Sequence, residues 1–453
     1  MTTLHAPTAL LPEGWARDVR VTLAGGRIMA VEPGAAPGAQ DLRLTGMALL
    51  PAMPNLHSHA FQRAMAGMTE RRGPGEDSFW TWRRLMYRFL DVLTPDDVEA
   101  IAALVYIEML EAGYASVAEF HYLHHQPGGV PYADPAELAH RIVAASIAAG
   151  IGLTLLPVLY TWGGAGAAPL AGGQLRFGCG LDAFLRLREA SRPGLPADAV
   201  LGTAPHSLRA TTPDDLAALV AAFHEGPLHI HAAEQVPEVE QVTVWLGVRP
   251  VEFLLDTFGL GPRWTLIHAT QMTSAETDRL ARSGATAGLC PITEANLGDG
   301  VFNGVAYLSA GGGFGIGSDS NVRISLSEEL RSLEYSQRLA HRARNVLATH
   351  GASVGATLHA AALAGGARAL QRPCGAIRPG ALADLVAIDR DHVALAPLGD
   401  DQLLDGWIFA ADDRVVREVW SGGRHVVHEG RHLARDAIEG RYRQTMAAVL
   451  ARL

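Results

Sequence analysis

The chain has no lysine; all 37 of its basic residues are arginine. Genomic base bias accounts for the omission, but its chemical consequence holds whatever the cause. A Schiff-base lysine, a Walker-type phosphate-loop lysine and a carbamylated lysine bridging two metals are all excluded. The glycine run "GGGFGIG" lacks the K-[ST] such a loop needs, and it reads instead as a tight strand. Cysteine is scarce too. Cys179, Cys290 and Cys374 stand far apart without C-x-x-C spacing, which points to a reducing cytoplasm and away from disulfides or a sulfur-ligated metal. No cysteine is expected beside a base, no G-x-S-x-G elbow occurs, and "HEGPLH" has the wrong spacing for a zincin. Long apolar runs are missing as well. The best candidate, residues 147–162, is short and broken by Pro157, and no segment reads as a signal peptide, so no membrane partner is expected. The net charge of −10 argues against nucleic acid, which a basic patch would serve.

What is present is apolar residue in quantity, 48%, enough for a large core. Short β-like pieces with Gly-Gly and Pro-Gly turns open the chain ("DVRVTLAGGRIMAVEPG") and recur near its end ("GAIRPGALADLVAIDRD", "REVWSGGRHVVHEGR"). Between them lie eight strand candidates: "MALLPAMPNLH", "ASVAEFHY", "GLTLLPVLY", "AVLGTAPHS", "LHIHAAE", "WTLIHAT", "ATAGLCPIT" and "GFGIGSDS". Helical segments such as "TPDDVEAIAALVYIEMLEAG" and "DPAELAHRIVAASIAAG" intervene, each opening on a capping residue and closing at glycine. Near-continuously apolar strands alternating with helices predict an α/β fold, a (β/α)8 TIM-like barrel. A small β-sandwich domain is expected to form from both termini. The expected division is 1–50 and 375–430 for the small domain, 51–374 for the barrel and 431–453 for a C-terminal helix.

Barrel enzymes carry their chemistry at the C-terminal ends of the strands. Those ends supply His57 and His59 on strand 1, Tyr122 on strand 2, and His206 and Arg209 on strand 4. Strand 5 supplies His231 and Glu234, strand 6 His268, and strand 8 Asp319. A lone histidine at a strand end is an ordinary polar residue; this many at one level is a site. In "HSH" the two imidazoles stand i, i+2 and share a face. Neutral imidazole with carboxylate suits a borderline metal, zinc or else iron. His57, His59 and His231 are expected to bind it with Asp319 beside it, the remaining position taking a water whose pKa falls to about 7. The resulting hydroxide would attack an electrophilic carbon. Glu234 is placed to shuttle protons to the leaving group, and His268 to steady the developing charge.

The motifs "PNLHSH", "HIHAAE", "LIHAT", "GIGSDS" and "GALADLVAID" resemble the amidohydrolase superfamily over nearly the whole chain. The H-x-x-E from His231 to Glu234 resembles its mononuclear deaminase branch, which implies one divalent metal. Further stretches, "NLHSHAFQRAMAG", "DSFWTWRRLMYR", "AEFHYLHH", "PHSLRA" and "TEANLGDG", are similar to the N-formimino-L-glutamate deiminases of histidine degradation. That resemblance implies hydrolytic deamination of a small dicarboxylate, with zinc on His57, His59, His231 and Asp319 and proton work by Glu234 and His268. It implies that Gln62, Arg83, Tyr122, His206 and Arg209 hold the two carboxylates, since arginine offers a planar fork matched to that group. Read alone, Arg83 serves equally as a surface salt bridge, and Gln62 and Tyr122 as packing. The aromatic "SFWTW" is either a contact for a homodimer or part of the core. Two other functions stay open here: a sister deaminase acting on an aminated purine or pterin, and a non-catalytic interaction protein on the same fold.

Overall fold

The computed structural model describes residues 1–72 and 79–453. The stretch "MALLPAMPNLH", continuous in sequence, divides at Ala52 into two strands belonging to different sheets. Met47–Pro51 joins the small domain, while Met53–Ser58 is the first barrel strand. Ala52 donates its N–H to the Asp384 carbonyl of the small domain, and Met53 donates to Gly113 in the barrel. The register of each half is thereby fixed by a different partner.

Among the described residues, eight parallel strands close a barrel in sequence order. After Met53–Ser58 come Tyr114–His121, Gly152–Leu159, a fourth strand in two fragments (Val200–Leu201 and Ala204–Pro205), Leu228–Ala232, Trp264–His268, Thr286–Leu289 and Gly313–Ile316. The first three strands are buried at every residue, as parallel strands covered on both faces must be. Isolated bridges complete the circle: Thr203 to Leu228 and Ser207 to His231 join the halves, and Ser58 to Asp319 closes the last gap. Two of these joints carry expected site residues.

Helix ends follow local chemistry. Pro95–Glu111 starts on a Thr94–Asp97 capping box with Pro95 in the first turn. Glu137–Ala149 stops at Gly150 in the left-handed conformation (φ +72°). Its start departs from the sequence reading: Ala136 is the capping position, and Asp134 instead accepts the Ala136 N–H at 2.9 Å from outside the helix. Helix Val354–Leu370 presses Gly365 so closely on the Phe314 carbonyl that a Cβ has no room, and on the facing strand a Cβ at Gly315 would meet the Gly366 N at 2.8 Å, so both sides of this contact require glycine.

The small domain is one path of hydrogen-bonded strands. Its order is Arg431–His432, Arg424–His428, Val416–Ser421, Leu385–Asp389, Met47–Pro51, Thr2–Leu11, Gly14–Ala24 and Arg27–Glu32, with Leu42–Arg43 beside Thr2–Leu11. Leu385–Asp389 pairs antiparallel with Met47–Pro51, so the two chain ends are interleaved around a core of Leu4, Val21, Ile28, Leu385 and Trp420. Helix Arg435–Arg452 lies against Pro95–Glu111 and is tied to it by Arg441–Glu99 and Arg452–Asp97 ion pairs. Among the described residues no helix is long and apolar enough to cross a membrane.

Candidate active site

The first strand ends in "HSH" pressed against the eighth. Gly317 sits where a Cβ would meet the His57 N and O atoms at 2.8 Å, so only glycine lets the two backbones approach this closely. His57 O accepts from Asp319 N, and His59 N donates back to Asp319 O, both at 2.9 Å. A buried polar ladder reinforces the joint. Asn55 donates to Ser318 Oγ at 2.8 Å, Ser318 Oγ donates to Asn321 at 2.6 Å, and Asn321 donates to Ser58 Oγ at 3.1 Å. The i, i+2 spacing therefore holds the two histidines to a wall that also carries Asp319.

Four donors converge on one point. His57 Nε2 lies 3.1 Å from His231 Nε2 and 3.5 Å from Asp319 Oδ1, and His59 Nε2 lies 3.4 Å from the same oxygen. An ion bound at about 2.0–2.2 Å sets neighbouring ligand atoms roughly 3.0–3.5 Å apart, so these residues fit a single metal. Two of the three outer nitrogens are held by backbone: His59 Nδ1 meets the Phe120 carbonyl and His231 Nδ1 the His206 carbonyl, each at 3.0 Å. Those contacts fix the ring orientation and leave Nε2 as the ligand atom. Burial, and then the neighbouring imidazoles, push His57 and His231 well below the ordinary histidine value, keeping both neutral as ligands must be.

His268 behaves oppositely. Burial opposes its charge, but Glu234, Glu294 and Asp319 outweigh burial and hold it well above the ordinary value. Its Nδ1 is 3.2 Å from Glu294 Oε1, while Nε2 faces Glu234 Oε1 at 3.8 Å and Asp319 Oδ2 at 3.9 Å. Glu234 is itself raised by burial, so the two groups can share a proton. Backbone strain concentrates here. Ala233 (φ +53°), His268 (+68°), Ala269 (+48°), Asp319 (+44°) and Asn321 (+55°) all lie in the left-handed region at or just past strand ends.

The cleft above, about 540 Å3 with its mouth included, is lined by His59, Gln62, Arg83, Tyr122, His206, Arg209, His231, Glu234, His268 and Asp319. Every site residue expected from the sequence thus falls in one place, His57 lying fully buried beneath. Gln62 donates to Tyr122 Oη at 2.8 Å. Arg83 comes from helix Phe79–Leu90, lines the cleft and donates to Tyr160 Oη at 3.1 Å. Arg83 and Arg209 lie near enough together that both depress His206, after burial, and both act on Tyr87.

The sequence reading missed Tyr160, Phe177 and Glu294. Tyr160 closes the strand candidate "GLTLLPVLY", and the same strand-end rule that found Tyr122 points to it. Glu294, within "TEANLGDG", carries no local signal, because its partner His268 is 26 residues away. One expectation is corrected. Cys290 does stand beside a base, its Sγ within 4.8 Å of donor atoms of His268 and Glu294. Burial, followed by the surrounding carboxylates, pushes that thiol well above its ordinary value, so it stays protonated and inert. Of "SFWTW", Ser78 lies outside the described residues, and Trp82 lines the cleft.

Comparison with known proteins places this geometry. Residues 48–426 match the family described as amidohydrolase family, and residues 1–44 match the N-terminal domain described as formimidoylglutamate deiminase HutF. A formimidoylglutamate deiminase from Pseudomonas aeruginosa is 50% identical, over 99% of this chain and 100% of that protein. The crystal structure of an amidohydrolase from Brucella melitensis superimposes with TM-score 0.94 at 49% identity, covering 99% of this chain and 100% of that one. An adenosine deaminase from Xanthomonas campestris, solved with bound zinc, shares the fold at TM-score 0.81 and 22% identity, covering 99% and 98%.

Proposed function

The chain belongs to the amidohydrolase family, and from that premise we propose that it hydrolyses the formimino C–N bond of N-formimino-L-glutamate, giving N-formyl-L-glutamate and ammonia. One observation carries the substrate class: Arg83 and Arg209 neighbour each other in the same cleft as the His57–His59–His231–Asp319 cluster. Two guanidinium forks suit a small dicarboxylate and have no counterpart on a neutral purine or pterin. Gln62, Tyr122 and His206 add neutral hydrogen-bonding groups around them. The 50% identity to the Pseudomonas deiminase supports the same substrate.

His57, His59, His231 and Asp319 would hold one divalent ion. Zinc fits this donor set and is the ion in the Xanthomonas relative, with iron the alternative. When bound, the ion supplies the Lewis acidity that makes water a nucleophile near neutral pH. The remaining work falls to the chain. Arg83 and Arg209 fix the glutamate carboxylates and so set the formimino carbon against the attacking water. Asp319 receives that water's proton, and the charge held on His268 by Glu234, Glu294 and Asp319 steadies the oxygen as the carbon becomes tetrahedral. Glu234, kept protonatable by burial, carries protons to the imino nitrogen. Both protons of the water end on that nitrogen, which leaves as ammonia while the carbonyl forms.

Dispersed free cysteines accord with a cytoplasmic enzyme. A homodimer is part of the reading, resting on the aromatic start of the helix that carries Arg83, and sedimentation decides it. Turnover in H2 18O tests the bond assignment. One 18O in the formyl group and one ammonia per product are expected; release of formamide and free glutamate would contradict it.

A further inference from the structure

A second group of ligand-type side chains lies in the small domain, away from the barrel cleft. Glu418 stands on strand Val416–Ser421, and His425 and His428 on its hairpin partner Arg424–His428. The two histidines are three residues apart, a spacing that in a regular strand turns them to opposite faces. The register resets between them. Val419 pairs with Val427 and Trp420 with His425, so Val426 is one residue too many, a β-bulge. The bulge shifts the alternation by one and returns both imidazoles to the side of Glu418. From the geometry of this bulge we propose that Glu418, His425 and His428 form a second metal site, for a borderline divalent ion of the zinc class.

The donors are already gathered. Glu418 Oε2 is 2.6 Å from His425 Nε2 and 3.1 Å from His428 Nδ1, and all three donor atoms lie within 4.8 Å of one another. The carboxylate is held from behind, its Oε1 accepting the Glu429 N–H at 3.2 Å from a residue in the left-handed conformation (φ +51°). The His425 ring is stacked on Trp420, with centroids 4.6 Å apart and planes 15° apart, which restricts its rotation. The site is open on one side: the Glu418 side chain is 6% exposed, His425 32% and His428 58%. An ion can therefore enter from solvent, meet a nearly buried carboxylate on a stiff hairpin, and keep water in its remaining position. Two imidazoles and one carboxylate are a donor set that zinc takes with water as the fourth ligand.

The test uses the enzyme already holding its first zinc. Zinc titrated into this holoenzyme, followed by native mass spectrometry and calorimetry, is expected to bind as a second equivalent per chain. His428→Ala, a change at the exposed ligand, should weaken that second equivalent by at least about tenfold. The His425→Ala/His428→Ala pair should abolish it, with kcat and the first zinc unchanged. The second zinc should also raise Tm in the parent protein and not in the pair variant. Binding of one zinc only, or a second zinc that survives in the His428→Ala protein with undiminished affinity, overturns the proposal. The first result would show that the triad is a hydrogen-bonded clasp.

Discussion

His268, which lines the cleft, is joined to the buried Glu294, Nδ1 to Oε1 at 3.2 Å, so the ring presents Nε2 to Glu234 and Asp319. The same Glu294 oxygen accepts the Cys290 N–H at 2.9 Å, which anchors it to the end of the seventh barrel strand. Glu294 thus acts through His268 and positions it. Glu294→Ala is expected to lower kcat by about 10- to 100-fold while KM and zinc content stay near the parent values. Glu294→Gln keeps an acceptor oxygen and should recover much of the loss. Steady-state kinetics with metal analysis checks this; a parent-like kcat in the alanine variant would contradict it.

Glu234 is the proton carrier in this account and not a ligand. Glu234→Gln should bind zinc as the parent does yet lose about 10²- to 10⁴-fold in kcat. A variant that loses its metal, or that turns over within a few-fold of the parent, would assign this carboxyl differently.

Arg209 is read as a carboxylate anchor. Arg209→Ala is expected to reduce kcat/KM about 100-fold, and Arg209→Lys to restore only part, since an ammonium cannot reproduce the fork. The informative comparison uses two substrate analogues, each lacking one carboxylate. For the analogue missing the group Arg209 holds, the alanine change should cost little more, because the contact is already gone.

Behind the "HSH" motif, Glu119 accepts the Ala60 N–H at 2.7 Å in full burial. Burial pushes its carboxyl up to about 7 against the hydrogen bonds that favour its charge. The folded state thus keeps a proton that the unfolded chain releases near 4.5. The contribution is fully present below that value and is lost as pH rises through about 7. Relative to Glu119→Gln, the parent should lose roughly 3 kcal/mol of stability across that window. Urea unfolding of both proteins at pH 5 and pH 8 reads the difference directly; a constant difference at the two pH values would contradict the assignment.

How far the site was legible depends on where its information lies along the chain. His57, His59, His231, His268 and Asp319 announce themselves because each ends a short apolar strand, and barrel topology brings strand ends together whatever the loops do. The eight strands were readable for the same reason. The split at Ala52 was not, since an unbroken apolar run does not show which sheet each half will join. Strand 4 is shorter than its apolar text, being cut into two fragments around Gly202–Thr203. Glu294, Asn55 and the strained φ angles at His268 and Asp319 were invisible because they exist only through partners distant in sequence. Arg83 was ambiguous until the fold placed its helix over the cleft and gave its guanidinium Tyr160.

The central claim, that this cleft pairs a hydrolytic metal cluster with a dicarboxylate clamp, is tested most directly by ammonia release from the zinc-loaded protein. N-Formimino-L-glutamate, adenosine, guanine and a pterin are offered side by side. The account predicts a kcat/KM for formiminoglutamate exceeding every ring compound by at least about 10³-fold, as expected for a site built around charged groups that a neutral ring leaves unpaired. Turnover of a ring compound with none of formiminoglutamate would contradict it.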